Sequence, residues 1–479
     1  MLPDVALLEI FDVYIYDNCE DENEAEYDKE VGVWYTLVHV CRKWRNTVFG
    51  SPRRLDLRLY CRASTPVRRT LDVWPPLPIV IEVNGADTWN EGSIIAALEH
   101  NDRICELVVH DILSSERKKA LTALQQPFPA LANLYVVFDV ETAPVIPTSF
   151  LGRSAPGLET LYLKRIPFLG LPKLLLTATH LVDLNLRRIP HSGYISPETM
   201  VTALSVLTSL ECLHIGFESP RSRPDRRIQR LPPRRTRTVL PVLTLLQFKG
   251  ISDYLEDLVA WIDVPQLDYL TITFFHRLIF DTPQLTRFII RTPKFKGSKA
   301  QDESHVEFSH HKAMILFPPA FDGAFGLELG ISCTQSDWQL SFLAQVCSSS
   351  LTQALIPTVE RLYIRSGFQG PDWQDDIESG QWLELFQPFV ATKDLYISSE
   401  FTPSIAPAMK ELVGDGVIEV LPALQTLFLE EPWDEPLPLG PTQEAIENFA
   451  AARQLAGHSL AISHWESEED EWWDEPDDD

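Results

Sequence analysis

Phosphate-cradling glycine loops, paired cysteines and long apolar runs are all missing from this 479-residue chain. Without a G-x-G-x-x-G or P-loop pattern there is no dinucleotide or nucleotide cradle to assign. Cys19, Cys41, Cys61, Cys105, Cys212, Cys333 and Cys347 are scattered, odd in number and never spaced C-x-x-C. No N-x-[ST] sequon occurs either, and both absences fit a reducing compartment, cytoplasmic or nuclear. The opening MLPDVALLEIFD is interrupted by Asp4, Glu9 and Asp12 and has no basic lead, so a signal peptide is not expected. No apolar run is long enough for a bilayer span. Basic residues are in deficit: 41 Lys and Arg against 68 Asp and Glu give a net charge of −27. That balance argues against nucleic acid or an anionic membrane as partner.

Catalytic signatures are missing too. HVEFSHH, with His305, Glu307, His310 and His311, lacks an i, i+4 histidine pair and any cysteine partner, and reads as a polar loop. Gly457-His458-Ser459 lacks the second glycine of a nucleophile elbow. No catalytic residue, cofactor or metal is expected, and the chain is not expected to be an enzyme.

What is present begins with two apolar stripes. Leu7, Ile10, Phe11 and Tyr14 recur at helical spacing behind Pro3. In LVHVCRKWRNTVFG, Leu37, Val40, Cys41, Trp44 and Val48 fall on one face of a single expected helix, with Arg42, Lys43, Arg45 and Asn46 largely opposite and Gly50 and Pro52 as the stop. An acidic insert, residues 17–30, separates the two. Two such short helices offer more apolar surface than they can bury on each other, so the body of the chain or a partner must cover the rest.

Behind them the frame L-x-x-L-x-L recurs, with apolar substitutions. It starts at Ile104, Leu131, Leu158, Leu181, Leu210, Leu243, Leu267 and Leu285, and again at Val359, Thr392 and Leu424. The spacings are 27, 27, 23, 29, 33, 24 and 18, then 33 and 32 after a gap with room for units near Met314–Phe317 and Leu327–Ile331. The last two apolar residues of each frame lie two apart and share one side of a strand, so stacked frames build a parallel sheet with a continuous core. The fold class expected is α/β: an N-terminal helical module (1–60), a linker or capping segment (61–100), an irregular leucine-rich-repeat-like solenoid with parallel strands in a horseshoe (101–440), and a C-terminal helix with an acidic tail (441–479). An Arg- and Pro-rich stretch at 219–238 should loop out of the array.

LPDVALLEIF followed by LVHVCRKWR resembles the F-box, and SPRRLDLRLYC with LDVWPPLPIVIE resembles the continuation seen in fungal F-box proteins with leucine-rich-repeat-like bodies. The acidic insert is longer than that family's pattern. The resemblance implies a Skp-type adaptor, and through it a cullin, as the cover for the apolar stripes. The matching positions are Leu2, Pro3, Leu7, Leu8, Ile10, Phe11, Leu37, Val40, Cys41 and Trp44. It implies a substrate receptor of a ubiquitin ligase; a repeat scaffold unconnected to ubiquitin is the alternative.

Residues alternating with the buried pair of each frame should line an open sheet face. They include Tyr162, Lys164, Arg187, Lys249, Arg287, Arg291, Arg361, Tyr363 and Arg365 as candidate substrate contacts. Seven outward positions are basic and three acidic, which suggests an acidic or phosphorylated protein ligand. The tail WESEEDEWWDEPDDD, at 465–479, is a second candidate occupant of that face.

Overall fold

The computed structural model describes residues 3–19, 33–50, 57–61, 66–84, 91–110, 114–138, 145–220, 237–275, 282–293, 302–318, 326–333, 338–349, 355–367, 370–371, 373, 377–413, 418–430 and 440–465. Leu2, most of the acidic insert, nearly all of the Arg-rich stretch and the tail after Trp465 lie outside these. The chain divides into two compact units, Met1–Ile228 and Gln229–Asp479, so the expected single array at 101–440 is shared between them.

The first unit opens with helices α1 (Asp4–Cys19), α2 (Val33–Val40) and α3 (Arg42–Phe49). Helix α1 runs into the stretch expected to be acidic insert. The single helix expected around Cys41 is in fact two. Cys41 is extended (φ −161°, ψ 168°) and its Sγ accepts the amide N–H of Trp44 at 3.5 Å, so it caps α3 instead of continuing α2. Gly50 ends α3 as the sequence predicts, donating its N–H to the Asn46 carbonyl at 2.9 Å.

Seven strands follow: β1 (Arg58–Tyr60), β2 (Ile79–Asn84), β3 (Ile104–His110), β4 (Asn133–Val137), β5 (Thr160–Lys164), β6 (Asp183–Ile189) and β7 (Cys212–Phe217). Each pairs in parallel with the next. The register aligns Leu59, Ile81, Leu107, Leu134, Leu161, Leu184 and Leu213 in one buried row, which is the second leucine of the repeat frame. Strands β1 and β2 extend the sheet into the segment expected to be a linker. Their sequence keeps the two-apart apolar pair but loses the leading leucine. Return helices such as Glu91–Leu98 and Pro197–Leu204 bury Ile94, Ala97, Met200, Val201 and Leu204.

The second unit contains β9 (Leu245–Gly250), β11 (Tyr269–Phe275), β12 (Glu303–Phe308), β13 (Lys312–Phe317), β14 (Gly326–Ser332), β15 (Arg361–Ser366), β16 (Asp394–Ile397), β17 (Thr426–Glu430) and β18 (Ala461–Trp465). A small parallel pair, β8 (Thr238–Val239) with β10 (Ile262–Asp263), accompanies them. The order is β9-β11-β14-β13-β12-β15-β16-β17-β18. Pairing is parallel except that β13 runs against both β12 and β14. The repeat expected at 285–290 is instead a helix, Pro283–Arg291, with Leu285, Phe288 and Ile289 buried at helical spacing. The polar loop expected at HVEFSHH is strand β12 and its turn: Ser309 donates its N–H to the Lys312 carbonyl at 2.8 Å, closing the hairpin to β13. Phe248, Ile272, Leu329, Ile315, Val306, Ile364 and Ile397 form the core row across these strands.

Candidate functional site

Two kinds of surface collect functional chemistry: the N-terminal helices and the outward faces of the strands. In the helices, Leu7 and Phe11 of α1, Leu37 and Val38 of α2 and Val48 of α3 are buried. Phe11 holds the half-buried Trp44 at a ring-centroid distance of 4.8 Å. Lys43 bridges to Asp4 at 3.2 Å, and Arg45 donates its Nε–H to the Val38 carbonyl at 3.0 Å. The residues matching the F-box pattern therefore separate into two sets. Leu7, Phe11 and Leu37 build the inside of the module; Pro3, Ile10, Val40 and Cys41 face solvent, with Leu8 and Trp44 half-buried. Around them Val5 is 66% exposed, Ile10 48%, Val13 59% and Val40 56%. These four aliphatic side chains stand open to solvent on short helices.

On the first unit's open face, Tyr135, Tyr162, Asn185 and His214 share one register row. The two tyrosine rings lie 6.1 Å apart, and the Arg187 guanidinium sits 5.7 Å from the Tyr162 ring while its Nε–H reaches Asn185 Oδ1 at 3.2 Å. Lys164 is buried beside them. Burial first, and then the Glu106 carboxylate, push the Tyr135 hydroxyl up from its ordinary value. Burial also raises the Asp183 carboxyl, against the opposing pull of Arg187. Arg58 bridges Glu82 at 3.1 Å and Glu106 at 3.8 Å.

The second unit's face carries an aromatic ridge. His305, Tyr363, Tyr396 and Phe428 occupy one register row on β12, β15, β16 and β17. Their centroids are 4.6, 4.2 and 4.3 Å apart, and the Tyr363–Tyr396 and Tyr396–Phe428 planes are 12° and 3° from parallel. Charged rows flank the ridge. Arg361 bridges Asp302 and Glu303, each at 3.1 Å, and Glu303 accepts from His305 Nε2 at 2.7 Å. That hydrogen bond holds the Glu303 carboxyl below the usual carboxylate range, against the upward effect of burial. Burial, with Glu303 beside it, pushes the Tyr363 hydroxyl up to about 12.

Of the sequence-predicted contacts, the structure groups Tyr162, Lys164 and Arg187 in the first unit. In the second it groups Arg361, Tyr363 and Arg365, and sets Lys249 apart on β9. Arg287 and Arg291 leave the face altogether, because their segment is helical. Arg291 bridges Asp263 at 2.7 Å and donates to the Val259 and Ile262 carbonyls, a support for the turn after the helix Ser252–Trp261. The basic excess expected from sequence does not form. Strands β12 to β14 add Glu303, Glu307 and Glu328 to the outward positions, and Lys312 is paired with Glu328 at 2.6 Å. His305 was not among the expected contacts; the alternation of apolar Val306 and Phe308 with its neighbours was the signal for it. Among the described residues no group of three or more His, Cys, Asp or Glu side chains could hold a metal, and no helix is long and apolar enough to cross a membrane. Burial pushes the Cys61 thiol up to about 12 and the Cys347 thiol higher still, the opposite of what a nucleophile requires.

What these elements define is an α/β, leucine-rich-repeat-like array of mostly parallel strands with an open outward face. No family model matches the chain, and no curated protein matches it. Among solved structures it is similar to the leucine-rich-repeat-containing protein LegL7 from Legionella pneumophila, with 11% identity over 83% of this chain and 98% of that one. The TM-score is 0.28, too loose an overlap to bear on fold or function.

Proposed function

We propose that the chain is a substrate receptor: its N-terminal helices dock a Skp-type adaptor, which links it to a cullin, and its strand faces hold a protein substrate near the site of ubiquitin transfer. The observation that carries the docking half is the exposure of Val5, Ile10, Val13 and Val40 next to the half-buried Trp44, at and beside the positions that resemble an F-box. Leu7, Phe11 and Leu37 act as the internal support of that patch rather than as contacts. The chemistry of such a receptor is proximity, with no reacting group of its own.

Capture of a purified Skp-type adaptor tests the reading. Ile10→Lys with Val40→Lys places two charges in the patch while leaving the buried set intact. The expected result is at least about 30-fold weaker binding, near 2 kcal/mol, with an unchanged melting temperature. If the unaltered chain captures no adaptor, the ubiquitin connection fails and the repeat scaffold alone stands.

A further inference from the structure

The aromatic ridge of the second unit is already covered, and by the chain itself. Trp465, at the end of β18, pairs in register with Glu430 of β17, and its side chain crosses that strand. Its ring lies 5.6 Å from Tyr396 and 6.1 Å from Tyr363, at 85° and 74° to their planes. Its Nε1–H points to the Ile397 carbonyl at 3.4 Å, and the Arg365 guanidinium stands 5.6 Å from the indole and 4.9 Å from the Tyr363 ring. The strand that delivers it is thinly attached. Ala461, Ile462 and His464 are exposed, and β18 pairs with β17 at the edge of the sheet. An edge strand with so little side-chain burial is a candidate for exchange with another extended segment.

We propose that the ridge of Tyr363, Tyr396 and Phe428 is a docking site for an extended peptide segment bearing a tryptophan, and that Trp465 is its built-in stand-in, displaced when that segment enters. The charges select the flanks of the ligand. In the register rows beside the ridge stand Glu303, Glu307, Asp394 and Glu430 against Arg361 and Arg365, and Arg361 is already paired with Asp302 and Glu303. Neutral or basic flanks suit that border, and acidic ones do not. The chain's own continuation is the wrong sign: ten of the fourteen residues at 466–479 are acidic. In sequence they follow Trp465, whose register partner is Glu430, so by charge they oppose the hold of the stand-in. The inference rests on the receptor reading only in taking the strand face as a ligand surface.

The test uses the full chain and a fluorescein-labelled peptide, SLAISHWKKK, which repeats residues 459–465 and adds three lysines. Trp465→Ala is expected to bind it at least tenfold tighter than the unaltered protein, and Trp465→Phe to stay near the unaltered value. Adding Tyr396→Ala to Trp465→Ala should abolish the gain, and replacing the lysines of the peptide by glutamates should weaken binding severalfold. Amide exchange at residues 461–465 should quicken in Trp465→Ala while the rest of the second unit stays protected. Equal binding by Trp465→Ala and the unaltered chain, no binding by either, or indifference to Tyr396→Ala overturns the proposal. Adaptor capture by Trp465→Ala reads the receptor proposal separately, because the N-terminal helices are untouched.

Discussion

The carboxylate of Glu256 accepts the backbone N–H of Leu285 at 2.8 Å and that of Gln284 at 2.9 Å, so one helix caps the first turn of another. Pro283 occupies the opening position, where its missing N–H is no loss. Together these turn a segment with the spacing of a repeat frame into a helix. Glu256→Ala leaves two amides unpaired near a buried carboxylate's former place. It is expected to cost about 1–3 kcal/mol, read as a lower urea midpoint for the second unit, with Glu256→Gln intermediate.

Arg453 is fully buried and donates to the carbonyls of Leu421, Pro422 and Leu424, fastening the helix Gly440–Leu455 to that turn. Burial holds its guanidinium below its ordinary basicity. Arg453→Met keeps the stem and removes the donors. A loss of about 2–4 kcal/mol is expected from the orphaned carbonyls, measured by chemical denaturation followed by far-ultraviolet circular dichroism.

Glu303 supplies a pH dependence whose sign is fixed. Its folded pKa lies below the ordinary glutamate value, so its stabilising contribution is present above that value and is lost as pH falls through the folded pKa. Thermal melts between pH 6 and about 3 should show Glu303→Gln less stable than the unaltered chain at the upper end and converging with it at the lower. A constant difference across that range would remove Glu303 from the account.

Cysteine accessibility offers a footprint of the docking patch. Cys41 is exposed, whereas Cys61, Cys333 and Cys347 are buried. Brief alkylation of the native protein near neutral pH should label Cys41 and spare those three, as mass spectrometry of the fragments would show. Bound adaptor should protect Cys41.

Much of the fold was legible because the repeat frame is a direct image of two core rows. Leu161 with Leu163, and Leu184 with Leu186, are buried pairs two residues apart, and that pairing alone sets strand and side. Legibility ended where two geometries share one spacing. Leu285, Phe288 and Ile290 fit a strand frame, but Ile289 is the buried residue and Ile290 is 53% exposed, because the cap from Glu256 chose the helix. It ended again at Ser304, a hydroxyl residue facing inward, where it donates to the Leu316 carbonyl at 3.0 Å and hides the strand period of β12. Cys41 looked like one more apolar stripe position, but its sulfur serves as a cap. Tyr363, Tyr396 and Phe428 were readable as outward residues. Their stacking, and the arrival of Trp465 from 68 residues beyond Ile397, belong to tertiary register.

Strand β13 has a genetic consequence. Among the described strands of the second unit it alone is reversed, so β14 and β12 on either side of it point the same way, parallel to β11 and β15 respectively. Loss of β13 alone would leave β14 beside β12, two strands that already point the same way. Excising β12 and β13 together would bring β14 alongside β15 with polarity intact. The reversed strand can therefore be lost, alone or with β12, without inverting β15 or the strands that follow it.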